Sequence, residues 1–365
     1  MKIQGLHHIT LVSSDAQRTV DFYVKVLGLR FVKQTVNFDD PSAYHLYFGD
    51  ATGSPGSAIT FFEWKHAPKG LRGIGGTHHL ALSVQDYNGL LKWKRRLTDL
   101  GFSVNGPYDR HYFQSIYFTD PDGVILEIAT MGPGMLIDED EATLGQAVLT
   151  PPQELTRSSR DEASIDAETW HQPVERITAD MALMYGMHHI SVIGSNIQAT
   201  DAFYRDVLGM QRVKKQGNFD DPNSAHWYWG MDNGRPGTLV TYFEHSPENV
   251  RYARMGTGLT HHFALAVQDE DEQEEWRKRL AGAGYRVSPI MDRDYFRSIY
   301  SHDPDGHIVE LATVDPGFAV DEDPAELGQR LQLPAWLEKH RSQIENSLTP
   351  LVIPEWVNPL ETEDA

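Results

Sequence analysis

Four histidine pairs punctuate the chain: His7-His8, His78-His79, His188-His189 and His261-His262. Each opens an apolar, strand-like stretch. Two further stretches of that kind, Val124 to Ala129 and Ile308 to Ala312, carry a single acid each, Glu127 and Glu310. Two imidazoles and one carboxylate form the facial ligand set that holds a divalent metal and leaves positions open for O₂ and a substrate. A lone carboxylate in a buried strand is costly unless it is paired or binds a cation, so Glu127 and Glu310 stand out among the acids. Alternate strand residues share a face. His8, Thr10 and Val12 therefore lie together, with His7, Ile9 and Leu11 opposite. His262 shares its face with Ala264 and Ala266, which leave room for a ligand. A single strand histidine is more often a hydrogen-bonded core residue. Four pairs at equivalent positions, two followed at one interval by a strand glutamate, turn the reading toward metal. In DRDYFRSIY, Arg293 and Tyr300 are either a surface cation and a core phenol, or a pair lining a pocket and stabilising an oxyanion. The DPDG segments and Asn37 to Pro41 read as turns. Tyr44, Tyr47, Trp227 and Tyr228 read as core.

The elements that must position these groups come from duplication. GLHHITL at Gly5 recurs as GMHHISV at Gly186, and NFDDP at Asn37 recurs at Asn218. His45 maps onto His226 and Glu63 onto Glu244. GTHHLAL, with His79, recurs as GLTHHFALAV, with His262; Arg110 maps onto Arg293, Tyr117 onto Tyr300, and DEDEATLGQ onto DEDPAELGQ. Each half holds two related units. A His-His strand is followed by a helical pattern (Ala16 to Leu27, Tyr87 to Leu100, Ile197 to Leu208, Glu270 to Ala283), then by Gly28, Gly101, Gly209 or Gly284 in helix-stopping position, then by short strands. The expected fold is α+β, four βαβββ modules in two duplicated domains. The expected boundaries are 1–152 and 183–334, with a polar connector at 153–182 and a C-terminal helix with an acidic tail at 335–365.

Composition sets outer bounds. A length of 365 residues suits two domains of roughly 150 residues each. The chain has no cysteine, which excludes disulfides and thiolate metal sites. The first residues, MKIQGLHHITLV, lack an apolar h-region and a small-residue cleavage site, so no signal peptide is expected. No run approaches the roughly 18 apolar residues of a membrane span. A formal charge of −20 disfavours nucleic acid and anionic membranes as partners. The acidic clusters Asp138 to Glu141, Asp321 to Asp323 and Glu361 to Asp364 read in part as solvated surface. A cytoplasmic protein, monomer or homodimer, is the expectation.

HHITL, HHLAL, HHISV and HHFAL, each opening a βαβββ unit, together with DPDG followed by a strand glutamate, resemble the vicinal oxygen chelate superfamily of glyoxalase I, extradiol dioxygenases and fosfomycin-resistance enzymes. Within it, His7-His8-x-Thr10 and Asp292-Arg293-x-Tyr295-Phe296-x-Ser298-Ile299-Tyr300 resemble ring-cleaving dioxygenases of hydroquinones. The resemblance covers both halves and leaves out the connector and the tail. It implies Fe(II), or Mn(II) in its place, on His8, His262 and Glu310. It also implies His7, Thr10, His261, Arg293 and Tyr300 around a small aromatic substrate and O₂. The strand argument alone leaves a within-half pairing open, either His189, His262 and Glu310 or His8, His79 and Glu127. The second set, His79, Glu127 and His189 with Arg110 and Tyr117, offers a further site by symmetry, and the sequence leaves open which copy is active. A catechol extradiol dioxygenase, a glyoxalase-like isomerase or thiol transferase, and a non-catalytic binder of aromatic ligands are the alternative functions.

Overall fold

The computed structural model describes residues 1–183 and 185–361; Met184 and residues 362–365 of the acidic tail lie outside the described residues. Module 1 runs β1 (Gly5–Ser13), α1 (Ala16–Asp21), β2 (Arg30–Asn37), β3 (Asp40–Gly49) and β4 (Ala58–Glu63). Module 2 runs β5 (Gly76–Val84), α2 (Tyr87–Asp99), β6 (Asn105–Asp109), β7 (Gln114–Thr119) and β8 (Ile125–Thr130). The connector holds α3 (Glu162–Ala167). Module 3 runs β9 (Met187–Gly194), α4 (Ile197–Asp201), β10 (Gln211–Gly217), β11 (Ala225–Gly230) and β12 (Leu239–Glu244). Module 4 runs β13 (Thr260–Val267), α5 (Glu270–Gly282), β14 (Met291–Asp292), β15 (Arg297–His302) and β16 (Ile308–Thr313), and α6 (Arg341–Ser347) follows. Among the described residues no helix is long and apolar enough to cross a membrane.

The helices form where the apolar spacing places them, and local polar groups set their ends. Asp15, Asp86, Asn196 and Asp269 cap the four module helices by accepting from backbone N–H groups of the first turn. Glu63 and Glu244 add a second acceptor, taking the N–H of Ala16 and of Ile197 at 2.9 Å. α1 and α4 continue as π-helical turns over Phe22–Val26 and Ala202–Val207. Gly101 and Gly284 then stop α2 and α5 at φ +88°, a conformation that costs a residue with a Cβ about 1 kcal/mol or more. Val20, Trp93, Phe203 and Trp276 from these helices join Ile9, Leu11, Leu80 and Leu265 from the central strands in one continuous buried cluster.

The sheets do not follow the halves of the sequence. One has the order β14-β15-β16-β13-β1-β4-β3-β2, combining modules 4 and 1; the other runs β10-β11-β12-β9-β5-β8-β7-β6, combining modules 3 and 2. The seams are the antiparallel pairs β1–β13 and β5–β9. Each seam has two register shifts, and each shift skips the first histidine of a pair: His7 and His261 in one, His78 and His188 in the other. All four are β-bulges, in which one extra residue leaves the ladder and the strand is re-aimed. Simple alternation, which would set His7 beside Ile9 and Leu11, therefore fails at this point. Leu6, Ile9 and Leu11 face the core, while the bulged His7 packs against Phe296 with ring centroids 5.0 Å apart.

Lys33 and Lys214 explain the repeated DED segments. Both ammonium groups are fully buried. Lys33 donates to Asp321 at 2.6 Å, to Glu322 and to the Phe318 carbonyl; Lys214 donates to Asp138 and Glu139 at 2.6 Å and to the Met135 carbonyl. These acids are not simply solvated surface. They tie module 1 to the segment after module 4, and module 3 to the segment after module 2.

Candidate metal centre

Strand register assembles the first centre. Across the seam His8 sits opposite Ala264, which is beside Glu310, which is opposite Tyr300; two residue pairs along, Thr10 faces His262. The small side chain of Ala264 leaves space between His8 and Glu310. The result joins the two ends of the chain and removes both within-half pairings. His8 Nε2 and His262 Nε2 lie 3.3 Å apart, and Glu310 Oε2 is 3.3 Å from the first and 2.9 Å from the second. All three side chains are almost completely buried. Metal–ligand bonds of about 2.1 Å at right angles put neighbouring donor atoms roughly 3.0 Å apart, so this spacing suits three adjacent positions on one ion.

The protonation pattern suits the same conclusion. Glu310 Oε1 accepts from Ser298 Oγ, whereas Oε2 meets only the imidazole nitrogens of His8 and His262. A buried carboxylate oxygen is expensive unless paired, and a cation satisfies it. Burial raises the Glu310 carboxyl, but His8 and His262 outweigh it and hold the group well below the usual carboxylate range. Burial lowers the His262 imidazole, against the pull of Glu310.

The bulged histidines set the tautomers. His7 is pushed down to about 3 by burial and by the neighbouring His8, so near pH 7 it is neutral, with one proton. Its Nε2 lies 3.0 Å from the Thr313 carbonyl, which can only accept, so the proton is on Nε2. His7 Nδ1 must then accept from His8 Nδ1–H across 2.9 Å, which turns His8 Nε2 toward Glu310. His261 makes the same contact with His262, Nδ1 to Nδ1 at 2.8 Å, and burial with the adjacent His262 lowers it to about 3. The neutral His261 ring thus shares one proton with His262 across this Nδ1–Nδ1 contact. Neither bulged histidine is a cationic acid at neutral pH.

A cavity of about 220 Å³ opens on this cluster, and His8, His261, His262, Arg293 and Tyr300 all line it. His7 and Thr10 do not. His7 stands behind His8, and Thr10 Oγ1 lies 3.0 Å from His262 Nε2 and 2.7 Å from Thr60 Oγ1. Arg293 Nε donates to the Tyr300 hydroxyl at 3.2 Å, and burial pushes that phenol upward so that it keeps its proton. Phe62 and Phe296 supply apolar wall. Asn37, Phe38 and Asp39, read as a turn, rim the cavity, and Tyr47 is wall as well as core, whereas Tyr44 and Trp227 are core. His45 is a lining residue that periodicity does not single out. Its Nε2 is 3.0 Å from Thr60 Oγ1 and its Nδ1 is 2.9 Å from Tyr47 OH, so a polar chain runs from Tyr47 through His45, Thr60 and Thr10 to His262. The signal available was the recurrence of His45 and Tyr47 as His226 and Tyr228.

The second set converges in the same way. His79 Nε2 and His189 Nε2 are 3.1 Å apart, and Glu127 Oε2 is 2.8 Å and 3.4 Å from them.

The family profile described as "Glyoxalase/Bleomycin resistance protein/Dioxygenase superfamily" matches residues 5–128 and 186–311. The chain is 34% identical over 357 residues to "Putative ring-cleaving dioxygenase MhqO" of Bacillus subtilis (strain 168), covering 97% of this chain and 98% of that one. It is 29% identical over 361 residues to "Chlorohydroquinone/hydroquinone 1,2-dioxygenase" of Sphingobium indicum, covering 96% and 98%. A crystal structure of a "putative dioxygenase" from Bacillus subtilis superimposes with a TM-score of 0.78 at 32% identity, over 97% of this chain and 99% of that one.

Proposed function

We propose, for a chain that belongs to the Glyoxalase/Bleomycin resistance protein/Dioxygenase superfamily, that it is a ring-cleaving dioxygenase of hydroquinone-type substrates, with Fe(II), or Mn(II) in its place, held by His8, His262 and Glu310. The observation that carries this reading is a buried cluster of two histidines and one carboxylate opening on a small cavity lined by Arg293 and Tyr300. Ligand pockets commonly span about 300–1,000 Å³, so 220 Å³ favours a single substituted ring. The names of the relatives, one of them a hydroquinone 1,2-dioxygenase, point to the same substrate class.

A redox-active ion at this centre supplies a common binding point for a phenolate and O₂ and a path for electrons from ring to oxygen. The protein's own groups do the rest. His7 and His261 orient the two ligand imidazoles through their Nδ1–Nδ1 contacts. Phe62 and Phe296 exclude water from the ring. The Tyr300 hydroxyl accepts from Arg293 and so has its own proton free to donate to an oxygen that gains negative charge. Arg293 balances that charge at a distance. Thr10, bonded to Thr60, lies against His262 Nε2 and limits the rotation of that ring.

The test is O₂ uptake by anaerobically Fe(II)-loaded protein with methylhydroquinone, chlorohydroquinone and catechol in parallel. Stoichiometric uptake with a hydroquinone, lost in Glu310→Gln together with one equivalent of iron, is the expected result. Uptake with catechol alone would move the assignment to the extradiol class. No uptake with any diol by iron-replete protein would remove the dioxygenase reading.

A further inference from the structure

We propose that modules 2 and 3 build a second metal centre on His79, Glu127 and His189, and that its cavity takes a larger, anionic aromatic ligand. The proposal rests on the same chemistry as the first centre but on different residues and on three observations of its own. The first is the donor spacing of 2.8–3.4 Å among three side chains that are at most 4% exposed. The tautomer device is repeated, with His78 and His188 at bulges and their Nδ1 atoms 2.8 and 2.9 Å from those of His79 and His189. The second is Glu127 itself. Ser298 donates to Glu310, but its counterpart Ser115 donates to the Tyr117 hydroxyl at 3.3 Å instead. Glu127 Oε1 is thus buried with no partner, and Oε2 meets only the imidazole nitrogens of His79 and His189, at 2.8 and 3.4 Å. A relic kept only for packing would be satisfied by hydrogen bonds or replaced; a buried carboxylate with one oxygen unpartnered and the other held between two imidazole nitrogens calls for a cation.

The third observation is the cavity. It measures about 860 Å³ against about 220 Å³ at the first centre. The connector does more than join the halves, because Arg157, Arg160 and Glu162 lie in this wall. Four arginines, Arg72, Arg110, Arg157 and Arg160, line it against two carboxylates, Glu162 and Asp220, whereas the smaller cavity sets Arg293 against Asp39 alone. Arg110 and Arg160 share Asp220 and stack on Tyr108, with guanidinium carbons 5.0 and 4.2 Å from the ring centroid. Phe113 and Phe243 give the apolar surface beside His79 and His189. Net positive charge, aromatic walls and this volume select an aromatic ring bearing an acidic group rather than an uncharged hydroquinone.

The experiment counts metal and ligand separately, on the full chain. Wild type, Glu127→Gln, Glu310→Gln and the double variant are loaded anaerobically with Fe(II), desalted and assayed for iron per chain, with circular dichroism to check folding. The expected counts are two, one, one and zero. A wild-type count of one, unchanged in Glu127→Gln, overturns the second centre whatever the variants' stability. His189→Gln provides an independent loss of the same equivalent should Glu127→Gln not fold. A count that falls to zero in Glu127→Gln while Glu310→Gln keeps one would instead remove the first centre and leave the second standing. Anaerobic equilibrium dialysis with 2,5-dihydroxybenzoate then tests the ligand class. Binding should persist in Glu310→Gln and weaken at least tenfold in Glu127→Gln; equal binding by both variants overturns the assignment of an anionic ligand to this cavity.

Discussion

Replacing His7 tests the tautomer argument, because His7 does not line the cavity and acts only through His8. His7→Phe keeps an aromatic ring against Phe296 and removes the Nδ1 that accepts from His8 Nδ1–H across 2.9 Å. It also leaves the Thr313 carbonyl without the donor that lies 3.0 Å from it. Without its acceptor, His8 loses its orientation and its preference for a bare Nε2. Removing such an outer partner typically costs about 10- to 100-fold in metal affinity, or about 1.4–2.8 kcal/mol. The unsatisfied carbonyl costs folding stability separately, on the order of 1–3 kcal/mol. His7→Asn separates the two effects, because its amide oxygen can take the place of Nδ1 as acceptor while the carbonyl stays unpaired. Metal affinity is read by anaerobic chelator competition in the Glu127→Gln background, so that only the first centre is counted, with urea unfolding alongside. Both variants should lose stability, but only His7→Phe should lose affinity by tenfold or more. A His7→Phe affinity within threefold of the parent, or a His7→Asn protein as weak as His7→Phe, would refute the reasoning.

Tyr300→Phe removes the proton donor and should keep the full iron count while lowering kcat by about 10²-fold; unchanged turnover would exclude Tyr300 from the chemistry. Lys33→Met strands Glu322, whose side chain is 5% exposed, beside Asp321, and should cost about 3 kcal/mol in urea unfolding; a loss below about 1 kcal/mol would mean that water reaches those acids. Burial raises the Asp303 carboxyl from 3.8 to about 6. A raised folded-state value makes its contribution to stability complete below the unfolded value and lost as pH rises through about 6. Relative to Asp303→Asn, wild type should therefore gain up to about 3 kcal/mol between pH 7 and pH 4; a difference that stays flat over that range contradicts the assignment.

Much of the site was legible before any coordinates. His8, His262 and Glu310 carry their chemistry in their type, and the duplication showed that strand glutamates and histidine pairs recur in step. Helix positions were legible too, because they depend on local spacing and on caps a few residues away: α2 and α5 occupy the segments that periodicity marked and stop at Gly101 and Gly284. Other readings needed partners remote in the chain. The acids at 138–139 and 321–322 read as surface until Lys214 and Lys33 were seen buried against them. Tyr47 and the turn at Asn37 read as scaffold because only the approach of module 4 makes a cavity beside them. The arginines of the connector gained a role only when that segment was seen lining the larger cavity.

By itself the sequence determined the repeated βαβββ unit, the ligand types and the face on which His8 and His262 lie, since these follow from strand and helix periods within one segment. The tertiary structure alone decided which modules share a sheet, because β1 can pair with β13 or with another His-His strand by the same backbone hydrogen bonds. It also decided the bulges at His7, His78, His188 and His261, because a register shift is a property of two paired strands and not of either one. Those two decisions put His8 from one end of the chain against His262 and Glu310 from the other, and placed a second imidazole within hydrogen-bond distance of each of these two histidines.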